Sequence, residues 1–333
     1  MSGPVIACLD EGRAGASAAR VAGSLSRRLC SPLVLATVTA ASAPGLGRQL
    51  GTSSVARARS VLLSQAAPIF ADAADGAGPD PELRVELGEP AERLASLAHR
   101  TGARLLVLGG PDRRSTPGRA LRNAYIALAG TSPCPVVVVP PSMEALQPAG
   151  APILCGVDGS DESLRAARVA VDLAQRLDAP IQLVHVAERP RLSGTPVSAG
   201  DYGARLLASH GAAMRVLLRA ANMPERALDL RVELGAAPTR LSDIAAREGA
   251  QLIVTGSSGR GAQSGKLLGS VSSRLALTAA QPLVLVRAIG RAALVADGPR
   301  QKGPTQLPRR ARRTRRRSTG HRGVAVSRTE GVQ

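Results

Sequence analysis

The chain has 333 residues, enough for two domains of ordinary size, and 44% of them are apolar, as in a globular protein. It contains no Trp, one Phe and two Tyr, so the core must be built from Ala, Val, Leu and Ile. Because single-stranded nucleic acid is read largely by stacking bases on aromatic side chains, this composition argues against that function despite the net charge of +18.

The four cysteines, Cys8, Cys30, Cys134 and Cys155, are scattered, with no Cys-x-x-Cys pair and no His at ligand spacing. This pattern indicates neither a disulfide framework nor a zinc site, and we expect buried thiols in a reducing compartment. The N-terminus lacks a basic region followed by an apolar one, and no apolar run approaches the roughly 18 residues of a membrane span. We therefore expect a cytoplasmic protein without a transmembrane segment.

Two segments of the chain nearly repeat each other. Val85-Glu-Leu-Gly recurs as Val232-Glu-Leu-Gly, and the apolar run that ends at Gly109 recurs before Gly256, each displaced by 147 positions. A period of this length indicates duplicated domains, since solenoid repeats are roughly 20 to 50 residues long. We expect two tandem domains over residues 1–142 and 150–288, followed by a tail over residues 289–333.

Each repeat has the pattern of alternating strands and helices. In the second repeat, short apolar runs predict strands over Ile153–Val157, Ile181–Val186, Leu228–Leu234, Leu252–Thr255 and Leu283–Val286. Apolar residues at helical spacing predict helices over Ser160–Leu177, Ala204–Ala221, Pro238–Arg247 and Gly269–Ala279. Ser160 or Asp161 should cap the first of these helices. The fold class is therefore α/β, with each domain a doubly wound five-stranded parallel sheet.

Two polar residues stand at strand ends of the second repeat. Ligands of doubly wound sheets bind beyond the carboxyl ends of the strands, where Asp158 follows the first strand. Its carboxylate either bonds a nucleobase or ribose edge, or serves as a turn or capping residue. We interpret His185 as a filled strand position rather than a metal ligand, because no other His or carboxylate pairs with it in the sequence.

A glycine-rich loop follows the fourth strand of the second repeat. It contains Gly256, Gly259 and Gly269, and a predicted helix begins at Ser270. We expect these glycines to adopt positive φ and to let the backbone approach an anion. The N–H groups of the loop and of the helix start, with the hydroxyls of Ser270 and Ser272, would then hold a phosphate. The alternative is a purely structural glycine loop.

The spacing Gly256-x2-Gly259-x9-Gly269-Ser270, together with the duplicated unit and Asp158, resembles the universal stress protein family over residues 4 to 288. The resemblance implies an adenine nucleotide, ATP with or without Mg²⁺, as ligand. The implied contacts are Asp158 and Val186 for the adenosine part, and Gly256, Gly259, Gly269 and Ser270 for the phosphates, with Val271 and Ser272 close behind. Arg260 and Lys266 would add charge to the site or be solvated loop cations.

The resemblance also implies that the last strands, Val136–Val139 and Leu283–Val286, pair with each other. Otherwise both would be open apolar edges. We therefore expect an intrachain pseudo-dimer, to which a second chain could be added as a homodimer.

The first repeat departs from the glycine pattern. Asp112, Arg122 and Asn123 occupy the positions that match Gly259, Gly269 and Ser270. A carboxylate and a long side chain there would leave no space for phosphate, although Arg113, Arg114 and Arg119 could hold an anion in another way. We expect a degenerate nucleotide site and a structural or regulatory role for this repeat.

The tail is strongly basic. Residues 290–333 carry twelve Arg or Lys against Asp297 and Glu330. The segment Arg309–Arg317 repels itself and cannot bury apolar surface, so it should be disordered. It is either a sequence-independent arm for nucleic acid or an anionic membrane, or a solvated tail with no partner.

No catalytic residues stand out in the sequence: neither a nucleophile with its base nor an acidic cluster for magnesium is evident. We therefore expect a nucleotide-binding, regulatory stress-response protein with at most slow ATP hydrolysis. The alternatives are an interaction scaffold that binds no nucleotide and a nucleotidyl-transferring α/β enzyme.

Overall fold

The computed structural model describes residues 3–39, 48–74, 80–111, 119–141, 143–188, 199–225, 229–259 and 268–287. The predicted basic tail, including Arg309–Arg317, lies outside these residues. Both repeats fall within one compact unit, Met1–Gly290.

The described chain alternates strands and helices through both repeats. The first half contains β1 (Val5–Cys8), α1 (Arg13–Arg28), β2 (Leu33–Thr39), α2 (Arg48–Ala74), β3 (Glu82–Leu87), α3 (Pro90–Thr101), β4 (Leu105–Gly109), α4 (Arg119–Thr131) and β5 (Val136–Val139). The second half contains β6 (Ile153–Gly156), α5 (Asp161–Arg176), β7 (Ile181–Ala187), α6 (Ala199–Ala220), β8 (Leu230–Leu234), α7 (Ala237–Arg247), β9 (Leu252–Gly256), α8 (Ser270–Thr278) and β10 (Leu283–Val286).

The strands form one ten-stranded sheet in the order β3-β2-β1-β4-β5-β10-β9-β6-β7-β8. All pairs inside each half are parallel, whereas β10 pairs antiparallel with β5, so that Leu283 faces Val138 and Leu285 faces Val136. The predicted five parallel strands per half are therefore confirmed. The predicted pairing of the two last strands is present within the chain, where it buries two apolar edges.

The sheet is buried on both faces, as its Ala, Val, Leu and Ile composition predicts. Alternate strand residues point to opposite faces: Val5 and Ala7 belong to a core shared with α1, α2, α5 and α6. Ile6 and Cys8 belong to a second core, shared with α3, α4, α7 and α8. A doubly wound sheet with two cores results, and aliphatic side chains fill both.

The helices begin close to the predicted positions. Ser160 caps α5, because its side chain accepts a hydrogen bond from the Ser163 N–H at 3.2 Å. The largest difference is α6, which begins at Ala199 rather than at the predicted Ala204. Gly203 lies inside the helix although glycine is a weak helix former. A Cβ at this position would have only Leu234 within 4 Å. Tertiary structure therefore overrides helix propensity here.

Candidate functional site

The candidate site lies at the carboxyl ends of β9, β6 and β7, which are neighbours in the sheet. β6 pairs on one side with β9 and on the other with β7. The chain connects β6 to β7 on one flank and only later returns to β9 on the other, so this is the switch point of the doubly wound order. The sheet therefore brings together Asp158, Val186 and the glycine loop, as the sequence predicts.

Asp158 lies in a tight turn between β6 and α5. Its Oδ1 accepts hydrogen bonds from the Ser160 N–H at 2.9 Å and the Ser160 hydroxyl at 2.6 Å. The Asp158 N–H donates to Ser163 Oγ at 3.3 Å. One carboxylate oxygen thus shapes the turn, while Oδ2 faces the glycine loop. The two alternatives for Asp158 are compatible, since one oxygen can act in the turn and the other on a ligand.

Gly256, Gly259 and Gly269 do not adopt positive φ, so that part of the sequence interpretation is wrong. The positive-φ glycines of the described residues are others, such as Gly159 at 81° and Gly249 at 62°. Close packing is what requires glycine in the loop. A Cβ on Gly256 would lie 2.8 Å from Glu162 Cβ, and a Cβ on Gly259 would lie 2.6 Å from Asp158 Oδ2.

Gly269 joins the two ends of the loop. Its N–H donates to the Ser257 carbonyl at 2.7 Å, and a Cβ would lie 3.3 Å from Ser258 Cα. Gly269 also precedes α8 with φ −69° and ψ 158°, without a side-chain cap. The glycines therefore hold the described loop ends, 257–259 and 268–269, close to the Asp158 turn.

The start of α8 presents backbone donors that have no partner within the helix. The first helical hydrogen bond runs from the Ser273 N–H to the Gly269 carbonyl at 2.9 Å. The N–H groups of Ser270, Val271 and Ser272 precede it and have no partner within the helix. Because the N-terminus of a helix carries partial positive charge, these groups suit an anion. Ser270 is exposed at this position.

The Ser272 hydroxyl has a different role from the predicted one. It is buried and donates to the Gly256 carbonyl at 2.7 Å, with Thr255 Oγ1 at 3.2 Å. The hydroxyl therefore fastens α8 to the end of β9 and is not directed at a phosphate. Only the backbone N–H of Ser272 is available for that purpose.

Val186 and Val271 are half-buried and lie against the core on the α7 and α8 side of the sheet. Arg260 and Lys266 lie outside the described residues.

Sequence reasoning missed a histidine pair beside the site. His185 Nδ1 lies 2.8 Å from the Val157 carbonyl oxygen, and its Nε2 lies 3.0 Å from Nδ1 of His210 on α6. The two rings stack with centroids 5.2 Å apart. His185 is a buried strand position, as the sequence interpretation has it, but it has a second histidine as a polar partner. No local pattern of the sequence signals this pair, because the two residues lie on different elements, β7 and α6.

In the first half, the matching carboxylate caps its own helix. Asp10 Oδ1 accepts from the N–H groups of Gly12 at 3.0 Å and Gly15 at 3.1 Å, at the start of α1. A Cβ on Gly15 would lie 2.6 Å from Asp10 Oδ1. The exposed Glu11 forms a two-point ion pair with Arg57 of α2 at 2.7 and 2.8 Å. Here the anion at the helix N-terminus is the chain's own side chain.

The first-half residues that correspond to the glycine loop are outside the described part of the chain or have no described side chain. Asp112, Arg113 and Arg114 are outside the described residues. Arg119, Arg122 and Asn123 are in α4, where the structure describes the backbone alone.

The cysteines are all free in the structure. Cys8, Cys134 and Cys155 are buried, as expected, but Cys30 is exposed, and its φ of 47° places it in a tight turn after α1. Burial raises the pKa of the Cys8 thiol to about 12 and that of Cys134 to about 11.

The described residues hold no group of three or more His, Cys, Asp or Glu suited to a metal ion. No helix among them is long and apolar enough to cross a membrane.

The fold is that of a tandem α/β protein in which the two halves share one sheet. The second half carries the glycine-rich loop of the candidate site. The sequence matches the description "Universal stress protein family" twice, over residues 1–140 and 151–287. The chain belongs to the universal stress protein family.

Relatives support this assignment. A universal stress protein of Mycobacterium tuberculosis is 32% identical over 232 residues, which is 68% of this chain and 75% of the relative. Another from the same organism is 33% identical over 192 residues, 56% of this chain and 62% of the relative. Among solved structures, a universal stress protein from Archaeoglobus fulgidus has a TM-score of 0.59 at 15% identity, covering 86% of this chain and 97% of the other. At that identity, the structural similarity shows the fold alone.

Proposed function

We propose that the second half binds an adenine nucleotide, ATP in the first instance, and that the protein is a regulatory member of its family in the response to stress. One observation carries the proposal: at the switch point of the sheet, Gly259 stands against the Asp158 carboxylate. A polar group for the adenosine part and a loop for the phosphates therefore meet at one place.

The residues present fit such a ligand. Gly256, Gly259 and Gly269 let the loop ends pack closely against α5, the Asp158 turn and each other, since a Cβ at each would meet protein atoms at 3.3 Å or less. The N–H groups of Ser270, Val271 and Ser272 supply donors at a helix N-terminus, the arrangement that suits phosphate oxygens. No cation beyond these backbone groups is needed for binding.

Each residue has a distinct task in this proposal. Asp158 would accept hydrogen bonds from the ribose or the base through its carboxylate, which lies at the turn after β6. Val186 would pack against the base, and Val271 would close the apolar side. The loop would hold the phosphates through the backbone.

We further propose that the protein is not an enzyme in the ordinary sense, with at most slow ATP hydrolysis. The described residues hold no group of His, Cys, Asp or Glu suited to a metal ion, so Mg²⁺ would enter with the nucleotide, on its phosphate oxygens. Hydrolysis should therefore be far slower than the roughly 1 to 1000 turnovers per second of ordinary enzymes.

The first half should not take part in binding. Asp112, Arg122 and Asn123 occupy the positions that match Gly259, Gly269 and Ser270, so the small residues and the serine of the second-half loop are missing there. The role of the tail on nucleic acid or anionic membranes, a homodimer of chains, and a cytoplasmic location remain proposals based on the sequence.

The test is equilibrium binding of labelled ATP to the full chain, with unlabelled ADP, AMP and GTP as competitors, in the presence and absence of Mg²⁺. We expect saturable binding that adenine nucleotides compete for and GTP does not. Phosphate release, followed in the same samples, should stay near the background. Absence of saturable binding at millimolar ATP would refute the proposal and favour an interaction scaffold.

A further inference from the structure

A buried chain of hydrogen bonds links helix α6 to the turn that carries Asp158. His185 is 7% exposed and lies on β7, while His210 lies half-buried on α6. The chain runs from His210 Nδ1 to His185 Nε2 over 3.0 Å, and from His185 Nδ1 to the Val157 carbonyl over 2.8 Å. Neither histidine has a task in the nucleotide site described above.

The carbonyl at one end fixes where the protons are. A carbonyl oxygen only accepts hydrogen bonds, so Nδ1 of His185 must carry a proton. In the neutral ring its Nε2 is then an acceptor, and Nδ1 of His210 must donate to it. Both neutral imidazoles are therefore held as Nδ1–H tautomers, whereas a free imidazole side chain in water prefers Nε2–H.

The peptide unit between Val157 and Asp158 is held from both sides. Its carbonyl is fixed by His185, and its N–H donates to Ser163 Oγ at 3.3 Å. The Val157 N–H donates to the Val184 carbonyl at 2.9 Å, which continues the ladder between β6 and β7. Since the orientation of this peptide sets the direction in which Asp158 leaves the strand, His185 acts on the carboxylate without touching it.

The first half has a comparable link, built with a different side chain. Strand register matches His185 to Thr37, because Val5 pairs with Leu33 as Ile153 pairs with Ile181. On α2, the second helix of the first half, Gln65 Nε2 donates directly to the Asp10 carbonyl, which corresponds in register to the Asp158 carbonyl, one residue after Val157. Both halves therefore tie their second helix to the turn after their first strand, and the second half does so through two histidines.

We propose that His185 and His210 are positioning residues for the Asp158 turn, and that the nucleotide affinity of the second half depends on them. The statement about affinity rests on the proposed function. The statement about the turn does not, because it concerns the protein without nucleotide.

The first test is ¹⁵N NMR of the full chain without nucleotide, near pH 8, with the histidine rings labelled. We expect the rings of His185 and His210 to be protonated at Nδ1, and exposed His99 to show the ordinary Nε2–H form. An Nε2–H signature for His185 would overturn the proposal, because that tautomer cannot donate to Val157.

The second test compares three variants. His210→Ala removes the donor to a buried nitrogen, and ATP affinity should fall about tenfold, the equivalent of one hydrogen bond of about 1.4 kcal/mol. His210→Gln, which copies Gln65, should restore affinity to within about twofold because its amide can donate. His99→Ala, at an exposed position of α3, should leave ATP affinity unchanged.

Amide hydrogen exchange at Asp158 and Gly159, measured without nucleotide, separates the two statements. His210→Ala should accelerate it and His210→Gln should not. Equal exchange in wild type and His210→Ala would overturn the role in the turn, whatever the affinity. If the wild type bound no ATP while His210→Ala still accelerated exchange, the proposed function would fail and the link would stand. Equal ATP affinity of wild type and His210→Ala would overturn the dependence of binding on the pair.

Discussion

Gly259→Ala is the sharpest perturbation that the site offers. The new methyl carbon would lie 2.6 Å from Asp158 Oδ2, well inside the 3.4 Å at which ordinary contacts begin. The carboxylate cannot turn away freely, since Oδ1 holds Ser160 at 2.9 and 2.6 Å. Either one of these charged hydrogen bonds lengthens, at a cost of roughly 1–2 kcal/mol, or the loop end moves away from Asp158.

Both responses separate the adenosine and phosphate contacts, so we expect ATP affinity to fall about tenfold, as 1.4 kcal/mol implies. The free energy of unfolding should also fall by roughly 1–2 kcal/mol if a hydrogen bond lengthens, so the variant is compared with a control of similar stability. The control is Gly249→Ala, where nothing lies within 4 Å but φ is +62°. It should lower the free energy of unfolding by about 1 kcal/mol and leave affinity intact. Unchanged ATP affinity in Gly259→Ala, by isothermal titration calorimetry, would refute the reasoning.

Four further predictions follow from the structure and the sequence. Gly269→Arg, which copies Arg122, should abolish ATP binding at a cost in stability of about 1 kcal/mol, because its Cβ meets Ser258 at 3.3 Å; a folded variant with full affinity would contradict this. Each half expressed alone should dimerise or aggregate through β5 or β10, and a soluble monomer in sedimentation would count against that pairing. Deleting residues after Ala288 should abolish low-salt retention on duplex DNA or anionic vesicles without changing ATP affinity; no retention of the full chain near 50 mM salt would leave a solvated tail. A thiol reagent at pH 8 should modify Cys30 alone in the native protein, as mass spectrometry can show, because burial raises the pKa of the Cys8 thiol to about 12 and keeps it protonated.

Local patterns were sufficient to predict most of the fold. Apolar runs such as Leu283–Val286 lie at strands in the structure, and the repeat at 147 residues indicated that two like units would follow each other. The ends of the predicted strands therefore indicate that Asp158 and the glycine loop lie at the same edge of the sheet. These features depend on short segments, where hydrophobic period and propensity agree.

Other features depended on contacts between distant segments. The reason for glycine at position 259 is the Asp158 carboxylate, about one hundred residues earlier in the chain, and no local pattern contains that distance. Ser272 has the residue type of a phosphate donor, but the orientation of α8 turns its hydroxyl to Gly256. His185 pairs with His210 only because α6 lies across β7, a contact that no local pattern indicates.

The number of nucleotides bound per chain tests the central claim most directly. Isothermal titration calorimetry of the full chain with ATP should give one site. Asp158→Asn should weaken that site strongly, because an amide group replaces one acceptor oxygen. Asp10→Asn, the matching change in the first half, should leave it intact. Two equivalent sites, or loss of binding in Asp10→Asn with none in Asp158→Asn, would contradict a nucleotide site confined to the second half.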